Sequence, residues 1–172
     1  APLAAGGEVV STALDVAARV RDPELPVLTL ADLGVLRDVT ESDGRVSVTI
    51  TPTYSGCPAL DEMAADLRRS LHAAGYAEVD VRLSLSPAWT TDWISEDGLR
   101  KLREAGIAPP SRLGPRAVGP VPLNLVPPSR RVPCPRCGSS RTSEVSRFGS
   151  TACKALRRCA DCAEPFEHVK EI

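Results

Sequence analysis

The sequence predicts an α/β fold: a small three-stranded sheet with helices packed on it, in the order α-β-β-α-β-α, followed by a cysteine-held ribbon. Three observations predict it. Helical and strand periods of apolar residues alternate through about the first hundred residues. Eight of the 16 prolines then fall between Pro109 and Pro133. Two Cys-x-x-Cys pairs, separated by 21 residues, occupy the last forty or so positions.

Residues 8–20 place Val9, Ala13, Val16, Ala17 and Val20 at helical spacing, and Pro23 blocks continuation of that helix. The loop Asp22-Pro-Glu-Leu-Pro26 comes next. Residues 35–40 and 45–51 read as strands. Val46, Val48 and Ile50 alternate with Ser47 and Thr49, the period of a half-buried strand. Ser42-Asp43-Gly44 supplies turn chemistry, so the two strands form a hairpin. Pro52 to Gly56 ends the second strand. A helix over 58–74 lines up Leu60, Met63, Ala64, Leu67 and Leu71, with Pro58 in its first turn and Gly75 just past its end. A third strand over 77–85 puts Val79, Val81, Leu83 and Leu85 on one face. The last helix starts at the N-cap Ser95 and runs to Ala105, with Gly106 after it.

These elements divide the chain into a leader (1–7), an α/β domain (8–106), a proline-rich linker (107–132) and a ribbon (133–172). The linker composition is that of a semi-rigid extended tether. The exposed edges of so small a sheet leave room for a homodimer.

Composition narrows the function classes. Of the 172 residues, 42% are hydrophobic and 25% charged, an ordinary soluble balance, but aromatics reach only 3%. The core must therefore come from Val, Leu, Ile and Ala. The formal net charge is -1. Residues 129–172 carry 9 basic and 5 acidic side chains, and four thiolates on one Zn²⁺ would offset half of that excess. Modest charge and few aromatics argue against a nucleic-acid partner. No apolar run approaches the roughly 20 residues that span a bilayer, so no membrane partner is expected. Six cysteines without a visible signal peptide point to a reducing compartment, the cytoplasm, where thiols bind metal or react.

Cys134-Pro-Arg-Cys137 and Cys159-Ala-Asp-Cys162 supply the ligands of one metal ion. Two residues between cysteines let a tight turn aim both sulfurs at one point, and two such knuckles complete a tetrahedron. Zinc suits this closed four-sulfur set; iron or an iron–sulfur cluster is the alternative. A module this small draws its folding energy from the metal. With no open position, the ion is structural. Cys153, six residues before Cys159, reads either as a small buried side chain or as a spare thiol for exchange or for a partner's metal.

Cys57 follows a strand and directly precedes Pro58. A helix N-terminus would stabilise its thiolate and lower its pKa. Asp22 and Glu24 flank Pro23 on a loop able to fold over the same end of the sheet, or else are solvated carboxylates at a helix stop. His72 reads as a surface residue, and neither it nor His168 has a ligand-like neighbour in sequence. A Cys-His catalytic pair is therefore unsupported.

Several segments resemble a known family. Asp22-Pro-Glu-Leu-Pro-Val27, Leu33-Gly-Val-Leu-Arg-Asp-Val39 and Thr53-x-x-x-Cys57-Pro58 are similar to the SufT-like iron–sulfur assembly domain. Ser86-Pro-Ala-Trp-Thr-Thr-Asp-Trp-Ile94, Gly106-Ile-Ala-Pro-Pro110, Phe148-Gly-Ser-Thr-Ala-Cys-Lys-Ala-Leu156 and Glu164-Pro-Phe166 resemble its phenylacetate-degradation (PaaD) branch, which adds a C-terminal zinc ribbon. The resemblance implies an accessory component of the phenylacetyl-CoA 1,2-epoxidase system, a maturation factor and not a catalytic subunit. Its implied partners are the oxygenase and reductase subunits and the iron–sulfur assembly machinery. Its implied cargo is transient iron or an iron–sulfur cluster. Cys57 matches the family's reactive or metal-handling cysteine, Asp22 and Glu24 its acidic loop, and Thr53 a polar neighbour. Arg157 and Val169 stand where the branch favours aromatics, which bears on ribbon packing. The competing readings are a stable non-catalytic subunit of the epoxidase, or a zinc-ribbon regulatory protein that binds nucleic acid. No Glu-x-x-His helix pair or phosphate-cradling glycine loop is present, so the chain is not itself the catalytic centre.

Overall fold

The computed structural model describes residues 12–54, 56–114 and 131–172. The leader and the linker segment 115–130 lie outside the described residues, as do Val9 and the start of the first expected helix. That helix, α1, is described from Ala13 to Ala17. Thr12 and Asp15 cap it reciprocally, each side chain accepting the other's backbone N–H. It stops well before Val20. From there the chain folds back on itself: Leu30 N–H reaches the Val20 carbonyl at 2.8 Å, and Asp22 N–H reaches Leu28 O at 3.0 Å. These loop bonds, not Pro23, end the helix.

The hairpin is β1 (Leu36–Ser42) and β2 (Arg45–Ile50), paired antiparallel. Asp43 and Gly44 take φ of 51° and 76°, the two left-handed residues of a tight hairpin turn. A crossover through α2 (Leu60–Ala73) then brings β3 (Glu78–Leu83) alongside β2 in parallel, giving the order β1-β2-β3. Met63, Leu67 and Leu71 of α2 are buried, as their spacing required. The helix starts two residues later than expected. Cys57 N–H bonds Tyr54 O and Leu60 N–H reaches Cys57 O, so Pro58 belongs to a turn ahead of the helix. Ala59 occupies the N-cap and offers no side-chain bond. Val79 and Val81 pack against the core, but Leu83 and Leu85 are exposed: the alternating series outruns the cover over β3.

A short 3₁₀ turn (Thr91–Trp93) precedes α3 (Glu96–Glu104), whose N-cap Ser95 accepts the Gly98 N–H at 2.9 Å. Gly34, at φ 71°, lies against this turn. A Cβ there would fall 2.6 Å from the Trp93 carbonyl oxygen, so only glycine fits. Trp89 is buried and donates its indole N–H to Leu33 O at 2.9 Å. Among the described residues, no helix is long and apolar enough to cross a membrane.

The ribbon is a second sheet, β4 (Thr142–Ser146), β5 (Lys154–Cys159) and β6 (Pro165–Val169), antiparallel throughout. It does not hang from a tether. Ala108 N–H bonds Glu167 O at 2.8 Å, and Val169 N–H bonds Ala108 O at 3.0 Å, extending β6 with a residue from beyond α3. Thr91 N–H and the Thr90 hydroxyl both donate to Ile172 O. Ser111 N–H donates to the Glu171 carboxylate. Val169 is 3% exposed and packs into the same core as Leu28, Leu67 and Trp89. This explains an apolar non-aromatic side chain at that position: it fills a core. Arg157, the other departure, is buried on β5 opposite Phe166 and lies 3.7 Å from the Glu144 carboxylate.

Candidate functional site

Two thiol sites emerge, one at each end of the ribbon. The first is the quartet Cys134, Cys137, Cys159 and Cys162, whose sulfurs all lie within 4.8 Å of one another. Cys134–Cys162 and Cys137–Cys159 Sγ separations are 3.7 and 3.6 Å. A tetrahedron with metal–sulfur bonds of about 2.3 Å has edges of about 3.8 Å, so the donors already match a four-sulfur ion. Each knuckle closes with a left-handed residue after its second cysteine: Gly138 at φ 74° and Ala163 at φ 62°. The Cys162 N–H, and further the Asp161 N–H, hold the Cys159 thiol down to about 7 against the effect of burial. Ala108, Val132 and Phe166 pack with the inner cysteines Cys134 and Cys159 as a small separate core.

The second site lies where the ribbon meets the α/β domain. Cys57 sits just beyond the carboxyl end of β2, in the turn that opens the crossover to α2. It is 6% exposed. Asp22 is also buried, and its Oδ1 accepts the Glu24 and Leu25 N–H groups at 2.8 and 2.7 Å. It is therefore an inward-facing loop anchor, not a solvated helix stop. Its bonds turn the loop so that Glu24 faces Cys57.

Cys153 arrives from the other module. Its thiol donates toward the Glu24 Oε2 at 3.9 Å, and it too is buried, with Thr151 Oγ1 3.1 Å away. The length of β5 separates it from the ribbon ligand Cys159, about 20 Å at the strand rise. Cys153 is thus remote from the ribbon metal and belongs to the junction. Next to it, Lys154 is 4% exposed and pairs with Glu167 at 2.8 Å.

The electrostatics differ from the expectation for Cys57. Burial pushes its thiol up, and the nearby negative charges of Glu24, Asp22 and Cys153 add to that; the Ala59 N–H alone pulls the other way. The helix start is too far along the chain to reverse this. Burial likewise raises Asp22 and Glu24, with Lys154 partly offsetting both. Cys153 is raised by burial first, against the Thr151 hydroxyl. Tyr54 is close enough to share the field: burial, then Cys57, Glu24 and Cys153, raise its phenol.

Of the residues singled out in the sequence, the structure brings together Cys57, Asp22, Glu24 and Cys153. Thr53 is half-buried four residues before Cys57 and makes no side-chain hydrogen bond among the described residues. His72 is exposed, its Nδ1 2.8 Å from Tyr76 O. His168 is buried on β6, with Nε2 3.6 Å from Glu171. Lys154 and Tyr54 carry no sequence signal, since nothing periodic marks a lysine that a later docking event buries.

Comparison with known proteins agrees with this two-part organisation. Residues 8–83 match the model of an iron-sulfur cluster assembly protein family, and residues 119–170 that of the PaaD zinc beta ribbon domain. The chain is 46% identical over 154 residues to an Escherichia coli K12 protein named "Putative 1,2-phenylacetyl-CoA epoxidase", of which it is the D component, covering 90% of this chain and 88% of that one. It is 38% identical over 85 residues to an Fe-S protein maturation auxiliary factor of Porphyromonas gingivalis, covering 48% of this chain and 80% of the relative. A solved Bacillus anthracis domain of unknown function, DUF59, aligns over 52% of this chain and 86% of its own at 27% identity, with a TM-score of 0.47. With its assembly domain, its ribbon and a near full-length match at that identity, the chain belongs to the PaaD family, that of the phenylacetyl-CoA epoxidase D component.

Proposed function

We propose that the chain is an accessory maturation component of the phenylacetyl-CoA 1,2-epoxidase system, assisting insertion of iron or an iron–sulfur cluster into its partner subunits. The observation that carries this reading is the buried Cys57 thiol facing Asp22 and Glu24 at the mouth of the β2–α2 crossover. The carboxylates and thiols that disfavour a bare thiolate there favour a bound cation, because a cation neutralises the charges that raise the thiol. Cys57 therefore stays protonated until cargo arrives, then exchanges its proton for the metal. The cargo is the substrate of the process, and no residue acts as an acid or base toward an organic substrate.

Zinc in the ribbon holds Cys134, Cys137, Cys159 and Cys162 together and keeps the module folded against the α/β domain. It takes no part in the transfer, since four sulfurs leave it no open position.

The test is Cys57→Ser in cells that depend on the epoxidase. The variant is expected to fold and to keep one zinc per chain, while epoxidase activity and the iron content of the partner subunits fall. Full activity with full iron loading would overturn the reading. The name of the Escherichia coli relative favours a second reading, a stable subunit needed at every turnover. Purified, fully loaded oxygenase and reductase that turn over without this chain would exclude it.

A further inference from the structure

We propose that Cys153 of the ribbon is the second thiol of the cargo site, so that a thiophilic divalent cation is held at the module junction by Cys57, Cys153 and the Glu24 carboxylate. This rests on the reading of Cys57 as the cargo-handling residue. It goes beyond that reading in making the ribbon supply a ligand.

Three observations carry it. First, Cys153 and Glu24, 129 residues apart in sequence, are in direct contact at 3.9 Å, and both thiols are buried. Second, the two ends of β5 give their cysteines different destinations: Cys159 turns to the ribbon quartet, while Cys153, just before the strand, is delivered to the face carrying Asp22, Glu24 and Cys57. Third, the donor chemistry is mixed. Two soft thiols with a carboxylate suit ferrous iron, the form of the cargo implied by the proposed function. Asp22 stays committed to the Glu24 and Leu25 N–H groups and holds the loop in place.

The geometry also separates storage from delivery. Among the described residues, only the ribbon quartet has all its donors within 4.8 Å of one another. The junction set is looser. Closing it on one ion takes side-chain rotation, and one rotamer step carries a cysteine sulfur about 3 Å. A site that must release its cargo is better served by this than by a closed tetrahedron. Binding is a proton exchange: each thiol loses one proton to solvent as its sulfur bonds the metal, Glu24 enters as a carboxylate, and no electron moves.

The test uses the full-length, zinc-loaded protein, titrated anaerobically with Co²⁺ as the probe. Wild type is expected to take one Co²⁺ beyond its zinc, with thiolate-to-cobalt charge-transfer absorption of two sulfurs. Cys57→Ser and Cys153→Ser should each lose about half of that absorption and at least about tenfold in affinity. The double variant should show none, with zinc content and circular dichroism unchanged in all. Undiminished absorption in Cys153→Ser, with loss in Cys57→Ser, overturns this proposal and leaves Cys57 as the cargo residue. Undiminished absorption in Cys57→Ser overturns that reading too, as does a wild type that takes no second ion.

Discussion

Replacing Lys154 by Met tests the electrostatic construction of the junction. Lys154 is almost fully buried, and its ammonium lies 2.8 Å from Glu167 Oε2. At an effective dielectric constant of about 20, the attraction at that distance is about 6 kcal/mol, much of it offset by the desolvation of both groups. Methionine keeps the length and most of the volume, so the main effect is a stranded Glu167 carboxylate. Breaking a buried pair costs about 3–5 kcal/mol. Glu167 retains the Ser150 N–H at 2.7 Å and some solvent contact, so the low end, about 3 kcal/mol, applies here. With a urea slope of about 2 kcal/mol/M, the midpoint should fall by about 1.5 M. The buried Trp89 provides the fluorescence signal. Adding Glu167→Gln to Lys154→Met removes the stranded charge and should recover about half of the loss. A midpoint shift below about 0.3 M, or no recovery in the double variant, would show that this ion pair does not hold the end of β5.

Two further outcomes are expected from the same structure. Glu171 is held down to about 2, despite burial, by His168 and the Ser111 N–H, against an ordinary value of 4.5. Its folded-state pKa is depressed, so the stabilisation is present above about pH 4.5 and is lost as pH falls toward 2. Glu171→Gln should cost on the order of 2 kcal/mol at pH 7, and the gap to wild type should close through that acid window in urea titrations at stepped pH. Separately, Ala163 at φ 62° closes a metal knuckle in a conformation that costs a non-glycine residue about 1–2 kcal/mol. Ala163→Gly should therefore stabilise the metal-loaded protein by about 1 kcal/mol after the entropic cost of glycine, read as a raised Tm; a lowered Tm would contradict it.

The elements that could be read from the sequence were those fixed by local chemistry. Asp43-Gly44 set the hairpin, Ser95 and Gly106 bracketed α3, and the spacing of Met63, Leu67 and Leu71 gave the buried face of α2. The ribbon quartet was legible because its ligand spacing is itself the geometric requirement. The stretch 18–35 was not. Leu25, Leu28, Leu30 and Leu33 are buried without belonging to a helix or strand, positioned by backbone bonds to Val20 and Asp22, so they show no period. Cys57 could be singled out, but not its surroundings. Its thiol is raised because the Pro58 turn delays the helix and because Glu24 and Cys153 converge on it. That convergence depends on docking of the ribbon, a long-range event with no local signature.

Val169 ties metal chemistry to the stability of the whole chain. A ribbon strand that ends inside the α/β core makes the two sheets one cooperative unit. Free energy gained at the four sulfurs then appears as resistance to melting around Leu67 and Trp89. Metal affinity and global unfolding become two readings of a single equilibrium, and neither can be tuned without moving the other.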